Sequence, residues 1–273
     1  MKKIIVPTDF SAHSGHAIPY AQKFAKSMGA EIEVVHVWYP DMNVDDPVDF
    51  MQTKLEELQK KRLHSFLKEN GLPISAGKLL PGFPGATLVG LSEDEDVGMI
   101  IMGKQGQANT LKKIFGTVSS AVAKDAKCPV LLVPHGAKWN GKFKNIMVAA
   151  GVEATDEKSL GRILDITRAF GANVHFVHIK KSPEDMEGLL VEDKILDKLI
   201  NDDTLGYTFN LVDIPYKNVI EGLNLYAEEN NVDMAIMISR HRKWWKDMFH
   251  KSKIKMAALT LELPLLALHL DDH

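Results

Sequence analysis

The stretch FAKSMGAEIEVVHVW, residues 24–38, is repeated in outline by ITRAFGANVHFVHIK, residues 166–180. In both copies an amphipathic helical stretch ends at a glycine, Gly29 or Gly171, and a mostly apolar segment with a Val-His pair follows. A glycine just past the last helical residue is a common helix-ending signal because it adopts a left-handed conformation without steric cost. The repeat therefore predicts a helix followed by a strand at equivalent places in two halves of the chain.

Segments on both sides of this phrase also repeat, and they determine the number of domains. The matched pairs are KKIIVPTD (2–9) with KNIMVAAG (144–151), and CPVLLVP (128–134) with LPLLALH (263–269). Self-similarity along a chain of 273 residues indicates tandem domains of ordinary size. We predict domains at residues 1–136 and 142–273, joined by the polar segment HGAKWNGK, residues 135–142.

Short apolar runs alternate with amphipathic stretches in each copy, which is typical of parallel sheets covered by helices on both faces. The predicted strands lie near residues 3–8, 31–38, 74–80, 97–103 and 129–133, and near 145–149, 173–179, 206–213, 232–238 and 264–269. Pro19, inside the first helical stretch, predicts a kink or a late helix start because proline has no backbone N–H to donate. The predicted fold class is α/β.

Composition and charge exclude several functional classes. A formal net charge of -3 argues against a protein whose main partner is nucleic acid, since such proteins present a strongly basic face. The single cysteine, Cys128, permits no intrachain disulfide, favours a reducing compartment and is interpreted as a buried thiol. The first apolar run is interrupted by Pro7 and Asp9, and no run approaches the ~18 residues of a membrane span. We expect a cytoplasmic protein with no membrane partner.

Two predicted strand ends in the first copy carry residues suited to ligand binding: VPTDFS, residues 6–11, and the loop that begins at Gly103. Ligands of open parallel sheets lie beyond the carboxyl ends of strands. Glycines at 103, 106 and 116 would let an anion approach the backbone, and a helix starting near Thr117 offers free N–H groups. The pattern predicts a polyphosphate ligand.

The spacing Gly103-x2-Gly106-x9-Gly116-Thr117 resembles the nucleotide-binding signature of the universal stress protein family, in its ATP-binding branch. IIVPTDFS, residues 4–11, and CPVLLVP, residues 128–134, resemble the opening and closing strands of that family. The resemblance covers most of the chain, with one family domain per copy. It implies two Rossmann-like (adenine nucleotide alpha hydrolase-like) domains, each with a five-stranded parallel sheet of order 3-2-1-4-5.

The same resemblance implies a site for ATP, with Mg²⁺, in the first domain only. Its predicted residues are Pro7, Thr8, Asp9, Val37, Met102, Gly103, Gly106, Gly116, Thr117, Val118 and Ser119. Asp9 and the backbone of Val37 would contact adenine, and Gly103 would contact ribose. The members of the set from Gly106 onward would hold the phosphates.

The second copy lacks this pattern. A gap-free alignment from the closing strands places, opposite Gly103, Gly106, Gly116 and Thr117 in that order, the residues Ile238, His241, Lys251 and Ser252. A gap-free alignment from the opening strands places Gly151 opposite Asp9. We predict that the second domain binds no ATP in this way. Its segment SRHRKWWKDMFHKSKIK, residues 239–255, is open to two interpretations: an anion or nucleic-acid surface, or aromatic side chains packed under a loop with exposed lysines.

Histidines and lysines near the loop add further alternatives. His13 and His16 could share a helix face and bind a metal, but no carboxylate or cysteine stands at ligand spacing, so we interpret both as exposed and predict no metal site. His175 and His178 should point to opposite sides of a strand. Lys104, Lys112 and Lys113 could either approach a γ-phosphate or be surface charges.

No catalytic constellation is evident in the sequence. The leading hypothesis is an ATP-binding sensor or regulator of a stress response, whose two domains pair through the closing strands, thereby covering exposed sheet edges; homodimerisation is left open. One alternative is a slow ATPase or self-phosphorylating switch that uses Thr117 or Ser119. The other is a nucleotide-independent interaction scaffold.

Overall fold

A computed structural model of the chain describes residues 3–39, 48–104, 117–135, 137, 141–150, 157–180, 186–199, 206–213, 219–239 and 263–269. The described residues form two units, one ending at His135 and the other beginning at Ala137. Among the described helices, none combines the length and the apolar character needed to cross a membrane.

Unit 1 is a parallel sheet flanked by helices. Its segments are β1 (Lys3–Pro7), α1 (Ala12–Gly15), α2 (Ile18–Met28), β2 (Glu31–Trp38), α3 (Val48–Glu69), a 3₁₀ turn (Ile74–Ala76), β3 (Gly77–Pro81), α4 (Pro84–Leu91), β4 (Val97–Lys104), α5 (Thr117–Asp125) and β5 (Val130–Pro134). The strand order is β3-β2-β1-β4-β5, and the paired strands are parallel. The predicted order 3-2-1-4-5 is confirmed.

The central strands of unit 1 are buried on both faces. Ile4, Ile5 and Val6 of β1 and Ile100 and Ile101 of β4 have no exposed surface. Consecutive buried residues are expected where helices cover both sides of a parallel sheet. This explains why these strands appear in the sequence as continuous apolar runs.

Proline and glycine mark the helix ends as predicted. Pro19 lies in the first turn of α2, after a break that separates α1 from α2. Gly29 follows α2 with φ +62°, and its N–H donates to the carbonyl of Ala25. Gly171 follows the equivalent helix of unit 2 with φ +61°. The late start of the second helix and both glycine ends are confirmed.

Unit 2 repeats the same topology. Its segments are β6 (Asn145–Ala149), α6 (Glu157–Phe170), β7 (Asn173–Lys180), α7 (Glu187–Leu199), β8 (Tyr207–Asp213), α8 (Val219–Glu229), β9 (Met234–Ser239) and β10 (Leu265–His269). The strand order is β8-β7-β6-β9-β10, again with parallel neighbours. Counted within the unit, this is also 3-2-1-4-5.

One predicted strand begins too early. Residues 74–76 form a 3₁₀ turn, in which the N–H of Ala76 donates to the carbonyl of Pro73, and β3 starts only at Gly77. Turn formation after Pro73 uses a backbone donor that a strand would need for its ladder. The other predicted strands agree with the structure to within about two residues.

The strand registers confirm the gap-free alignment of the two copies. Gly103 pairs with Val133 in unit 1, and Ile238 pairs with Leu268 in unit 2, at the same distance along each closing strand. Ile238 therefore occupies the sheet position that Gly103 holds in unit 1. Its side chain is buried.

Candidate functional site

A cavity of about 280 Å³ opens at the carboxyl edge of the unit 1 sheet. It lies between β1 and β4, where the chain departs to opposite faces of the sheet, and its size is near the lower end for small-molecule sites. Its lining comprises Pro7, Thr8, Asp9, Ser11, His13, Ser14, Val35, His36, Val37, Pro84, Leu88, Met102, Gly103, Val118 and Ser119. Such a position and size suit a nucleoside-sized ligand.

Hydrogen bonds within the β1–α1 loop fix the orientation of Asp9. One carboxylate oxygen of Asp9 accepts from the N–H of Ser11 at 3.0 Å and also from the Ser11 hydroxyl. The buried hydroxyl of Thr8 accepts from the N–H of Phe10 at 2.9 Å and is hydrogen-bonded to the Ser14 hydroxyl at 2.9 Å. Local bonds of this kind stabilise a turn without help from a ligand. The loop is therefore preorganised.

These bonds also determine the charge of Asp9. Partial burial raises the pKa of the carboxyl group, but the side-chain and backbone hydrogen bonds from Ser11 lower it and outweigh that effect. The pKa of Asp9 therefore lies below its usual range, and the group is an ionised acceptor at neutral pH.

Phe10 has an unusual backbone conformation for a non-glycine residue, with φ +64°. A left-handed conformation costs about 1–2 kcal/mol for an ordinary residue. The ring centroid of Phe10 lies 4.1 Å from that of His36 and 6.0 Å from that of Phe66, and the guanidinium of Arg62 lies 4.7 Å above the ring. Packing against α3 and β2 thus offsets the backbone strain beside Asp9.

His36 connects β2 to the same loop. Its Nδ1–H donates to the carbonyl of Thr8 at 2.8 Å. Burial lowers the pKa of the imidazole, and this outweighs the opposing effect of the bond to Thr8. His36 is therefore a neutral, oriented group in the cavity wall.

Gly103 is required by the packing of the protein itself. A β carbon at this position would lie 2.0 Å from the carbonyl oxygen and 2.7 Å from the carbonyl carbon of His13. No real contact is that short, so any side chain would force β4 and α1 apart. Gly103 also lines the cavity. The sequence prediction attributed this glycine to ligand approach alone.

Lys104 is not a surface residue, contrary to one of the two interpretations made from the sequence. Its side chain is buried, with 4% of the residue exposed, and burial lowers its pKa to about 8. The interpretation as a surface charge is wrong, since the residue ends a central strand. Lys104 is not among the residues that line the cavity. Lys112 and Lys113 lie outside the described residues.

Most of the predicted site residues that the structure describes meet at the cavity. Those that line it are Pro7, Thr8, Asp9, Val37, Met102, Gly103, Val118 and Ser119. Thr117 begins α5, whereas Gly106 and Gly116 lie outside the described residues. The structure brings these residues together, and their contact with a nucleotide stays a prediction.

Sequence reasoning missed part of the lining. Pro84 and Leu88 come from α4, and no local pattern connects that helix to the loops after β1 and β4. His13 was interpreted as exposed, which is wrong: it is half buried and lines the cavity because its helix packs directly on β4. His16 is exposed as predicted.

The equivalent edge of unit 2 has a different chemistry. Ala150 stands where unit 1 has Thr8, and its carbonyl accepts from Nδ1–H of His178 at 2.7 Å. His175 is instead hydrogen-bonded to the hydroxyl of Tyr226 at 2.8 Å, which confirms that the two histidines point to opposite sides of β7. Gly151 and residues 240–255 lie outside the described residues, so both interpretations of the aromatic and basic segment stay open.

Asp233 has a structural role in unit 2. Its carboxylate accepts from the N–H groups of Lys144 at 2.6 Å and Asn145 at 3.1 Å. These bonds lie at the start of β6, at the opposite end of the strand from the ligand edge. Asp233 therefore fixes the start of β6 and takes no part in the ligand edge.

Comparisons with known proteins agree with the geometry. The model of the universal stress protein family matches residues 1–134. A universal stress protein of Methanocaldococcus jannaschii is 31% identical over 144 residues, covering 50% of this chain and 84% of that protein. A universal stress protein of Thermus aquaticus is 30% identical over 135 residues, covering 48% of this chain and 98% of that protein.

The fold of the whole chain also has a counterpart among solved structures. A universal stress protein of Archaeoglobus fulgidus is similar over 98% of both chains, with a TM-score of 0.74 and 20% identity. This likeness extends the shared fold to unit 2, which the family model does not reach. By sequence and by fold, the chain belongs to the universal stress protein family.

Proposed function

We propose that unit 1 binds ATP, with Mg²⁺ carried on its phosphates, and that unit 2 binds no nucleotide in this way. The observation that carries this proposal is the cavity at the carboxyl edge of unit 1, where Asp9, Val37 and Gly103 lie together. These are the positions at which the family signature implies contacts with adenine and ribose.

The wall of the cavity has suitable chemistry for adenine. Asp9 is ionised and accepts hydrogen bonds, as recognition of an exocyclic amino group requires. Met102, Leu88 and Val35 supply apolar surface for the faces of the base. A mostly apolar wall with a few fixed polar groups is the usual composition of a small-molecule site.

The phosphates would lie toward the start of α5. Val118 and Ser119 of its first turn line the cavity. Backbone N–H groups in a first helical turn have no partner within the helix, and hydrogen bonds to a charged group contribute about 1.5–3 kcal/mol each. Mg²⁺ would be held by phosphate oxygens and water, as is common for this ion.

The two units would then have different roles. Unit 1, within domain 1–136, would respond to ATP, and domain 142–273 would pair with it through the closing strands. The whole chain would act in the cytoplasm as a sensor or regulator in a stress response. This division follows from the unequal residues at equivalent edges, above all Gly103 opposite Ile238.

Thermal unfolding with ATP, ADP, AMP and GTP, with and without Mg²⁺, tests the proposal. Ligand at about 100 times its Kd stabilises the protein by roughly 2.7 kcal/mol. Asp9→Asn should abolish most of the shift with adenine nucleotides because it removes the anionic acceptor. The matched control is Asp96→Asn, which removes a carboxylate paired with Lys3 at 2.9 Å and absent from the cavity lining. No shift with any adenine nucleotide would refute the proposal.

A second candidate function is slow ATP hydrolysis or self-phosphorylation. The observation that favours it is the hydroxyl-bearing Ser119, which is 7% exposed and lies in the cavity wall. Release of radiolabelled γ-phosphate, or its transfer to the protein, should be lost in Ser119→Ala. ATP that stays intact over hours with the wild-type chain would exclude this candidate and leave ATP binding unaffected.

A further inference from the structure

Three histidines of unit 1 lie together beside the cavity. His13 belongs to α1, His16 follows its last residue, and His135 follows β5. The ring centroid of His135 lies 4.5 Å from that of His13 and 4.9 Å from that of His16. His13 lines the cavity, whereas His16 and His135 are exposed. The cluster thus reaches from the cavity wall to solvent.

The groups around His13 are mostly of one sign. Burial and then the charges of His135 and His16 lower the pKa of His13, while the charge of Asp9 raises it. When protonated, this cluster repels itself, so it favours a bound anion. Among the described residues, no group of three or more His, Cys, Asp or Glu side chains is arranged to hold a metal ion.

We propose that His13, His16 and His135 form a protonation-dependent subsite for the phosphate tail of the nucleotide in unit 1. The proposal rests on the proposed function, since it assumes a nucleoside polyphosphate in the cavity. A bound phosphate stabilises the charged form of each imidazole. By linkage, acid must then raise the affinity for the phosphorylated ligand.

The subsite is particular to unit 1. In the gap-free alignments, Thr155 and Lys158 stand opposite His13 and His16, and Leu270 stands opposite His135. None of these residues carries an imidazole. The three histidines are therefore a feature of unit 1 and are not part of the sequence pattern that the two copies share.

The direction of the effect follows from the charges. An imidazole gains a proton and a positive charge as the pH falls, whereas Asp9 stays ionised at lower pH because its own pKa is lowered. Between pH 8.0 and pH 5.5 we expect the affinity for ATP to rise about tenfold through the cluster, since several partly exposed charge pairs contribute. AMP should gain less, and adenosine should gain nothing.

Calorimetric titration of the full chain at pH 5.5, 6.5 and 8.0 with ATP, AMP and adenosine measures these differences. The test variant is H13Q/H16Q/H135Q, and His16→Gln alone, an exposed position, serves if the triple variant does not fold. His64→Gln is the matched control, because His64 is an exposed histidine on α3 outside the cavity. Titration of ATP itself is common to all variants and cancels in the comparison.

The expected result is a pH-dependent affinity for ATP in the wild-type and His64→Gln chains and a much weaker dependence in the cluster variants. Equal pH dependence in wild type and cluster variants would overturn this inference and leave the proposed function standing. An equal pH effect on adenosine and ATP would also overturn it, since no phosphate would be involved. Absence of any binding at all three pH values would overturn both proposals.

Discussion

Among the described residues, the carboxyl edges of the two units share one hydrogen bond but differ in the side chains beside it. His36 donates to Thr8 in unit 1 at 2.8 Å, and His178 donates to Ala150 in unit 2 at 2.7 Å. In unit 1 the hydroxyl of Thr8 continues this network to Ser14, whereas the methyl group of Ala150 cannot. The comparison teaches that the bond holding the first two strands of each unit belongs to the shared fold, whereas its extension through the Thr8 hydroxyl to α1 belongs to unit 1.

The largest single difference between the two edges is Gly103 in unit 1 against Ile238 in unit 2. Replacing Gly103 should have the largest effect on stability and on nucleotide binding. Gly103→Ala places a β carbon against the carbonyl of His13, so we expect a loss of about 3 kcal/mol or more in the free energy of unfolding, together with loss of nucleotide binding. Urea unfolding and the ATP thermal shift measure the two effects.

Each unit offers a control for this substitution. Gly90 in α4 and Gly161 in α6 have no atom within 4 Å of an added β carbon. Gly90→Ala and Gly161→Ala should stabilise the chain by up to about 0.5–1 kcal/mol, since alanine is favoured in a helix. If Gly103→Ala were as stable as these controls, the close packing of α1 on β4 would be wrong.

Unit 2 has a hydrogen-bond network around the hydroxyl of Tyr226. Removing this hydroxyl should lower the free energy of unfolding without changing the affinity for ATP. The hydroxyl of Tyr226 accepts from Asn210 at 2.6 Å and is hydrogen-bonded to His175. Tyr226→Phe removes the hydroxyl from these partly buried partners, so we expect a loss of about 0.5–1.5 kcal/mol in the free energy of unfolding, measured with urea. Tyr39→Phe, at an exposed tyrosine, is the control and should change little. A change in ATP affinity with Tyr226→Phe would contradict the division between the units.

The smallest expected effect concerns pH. Burial lowers the pKa of His36 in the folded protein, whereas the unfolded chain takes up this proton near pH 6.5. Stability from the neutral imidazole is therefore present above pH 6.5 and declines as pH falls toward the lowered pKa. Urea midpoints at pH 7.5 and 5.5 should differ less in His36→Gln than in wild type. A steeper decline in the variant would show the sign to be wrong.

Much of the fold could be predicted because its signals are local. Gly29, Gly171 and Pro19 mark helix ends through their own backbone chemistry, and continuous apolar runs such as residues 3–7 identify strands buried on both faces. Because the sequence repeats, the same helices and strands were predicted independently in both copies. Only the start of β3 was clearly misplaced, because Pro73 begins a turn that the apolar pattern does not disclose.

Site residues were predictable from the sequence only where their place at the end of a strand indicates them. Asp9 and Gly103 stand directly at strand ends, so position alone indicated them. His135 lies beside His13 through the sheet order, and no spacing in the sequence signals that contact. The left-handed conformation of Phe10 likewise depends on packing against α3 and β2, because nothing in a phenylalanine favours it.

The position of the only cysteine has a practical consequence. Cys128 lies just before β5 in unit 1, and burial raises the pKa of its thiol to about 12, so at pH 8 only about one thiol in ten thousand is a reactive thiolate. Alkylation must therefore wait for unit 1 to open, whereas unit 2 has no thiol to modify. The rate at which Cys128 is alkylated therefore reports how often unit 1 opens. It carries no contribution from the opening of unit 2.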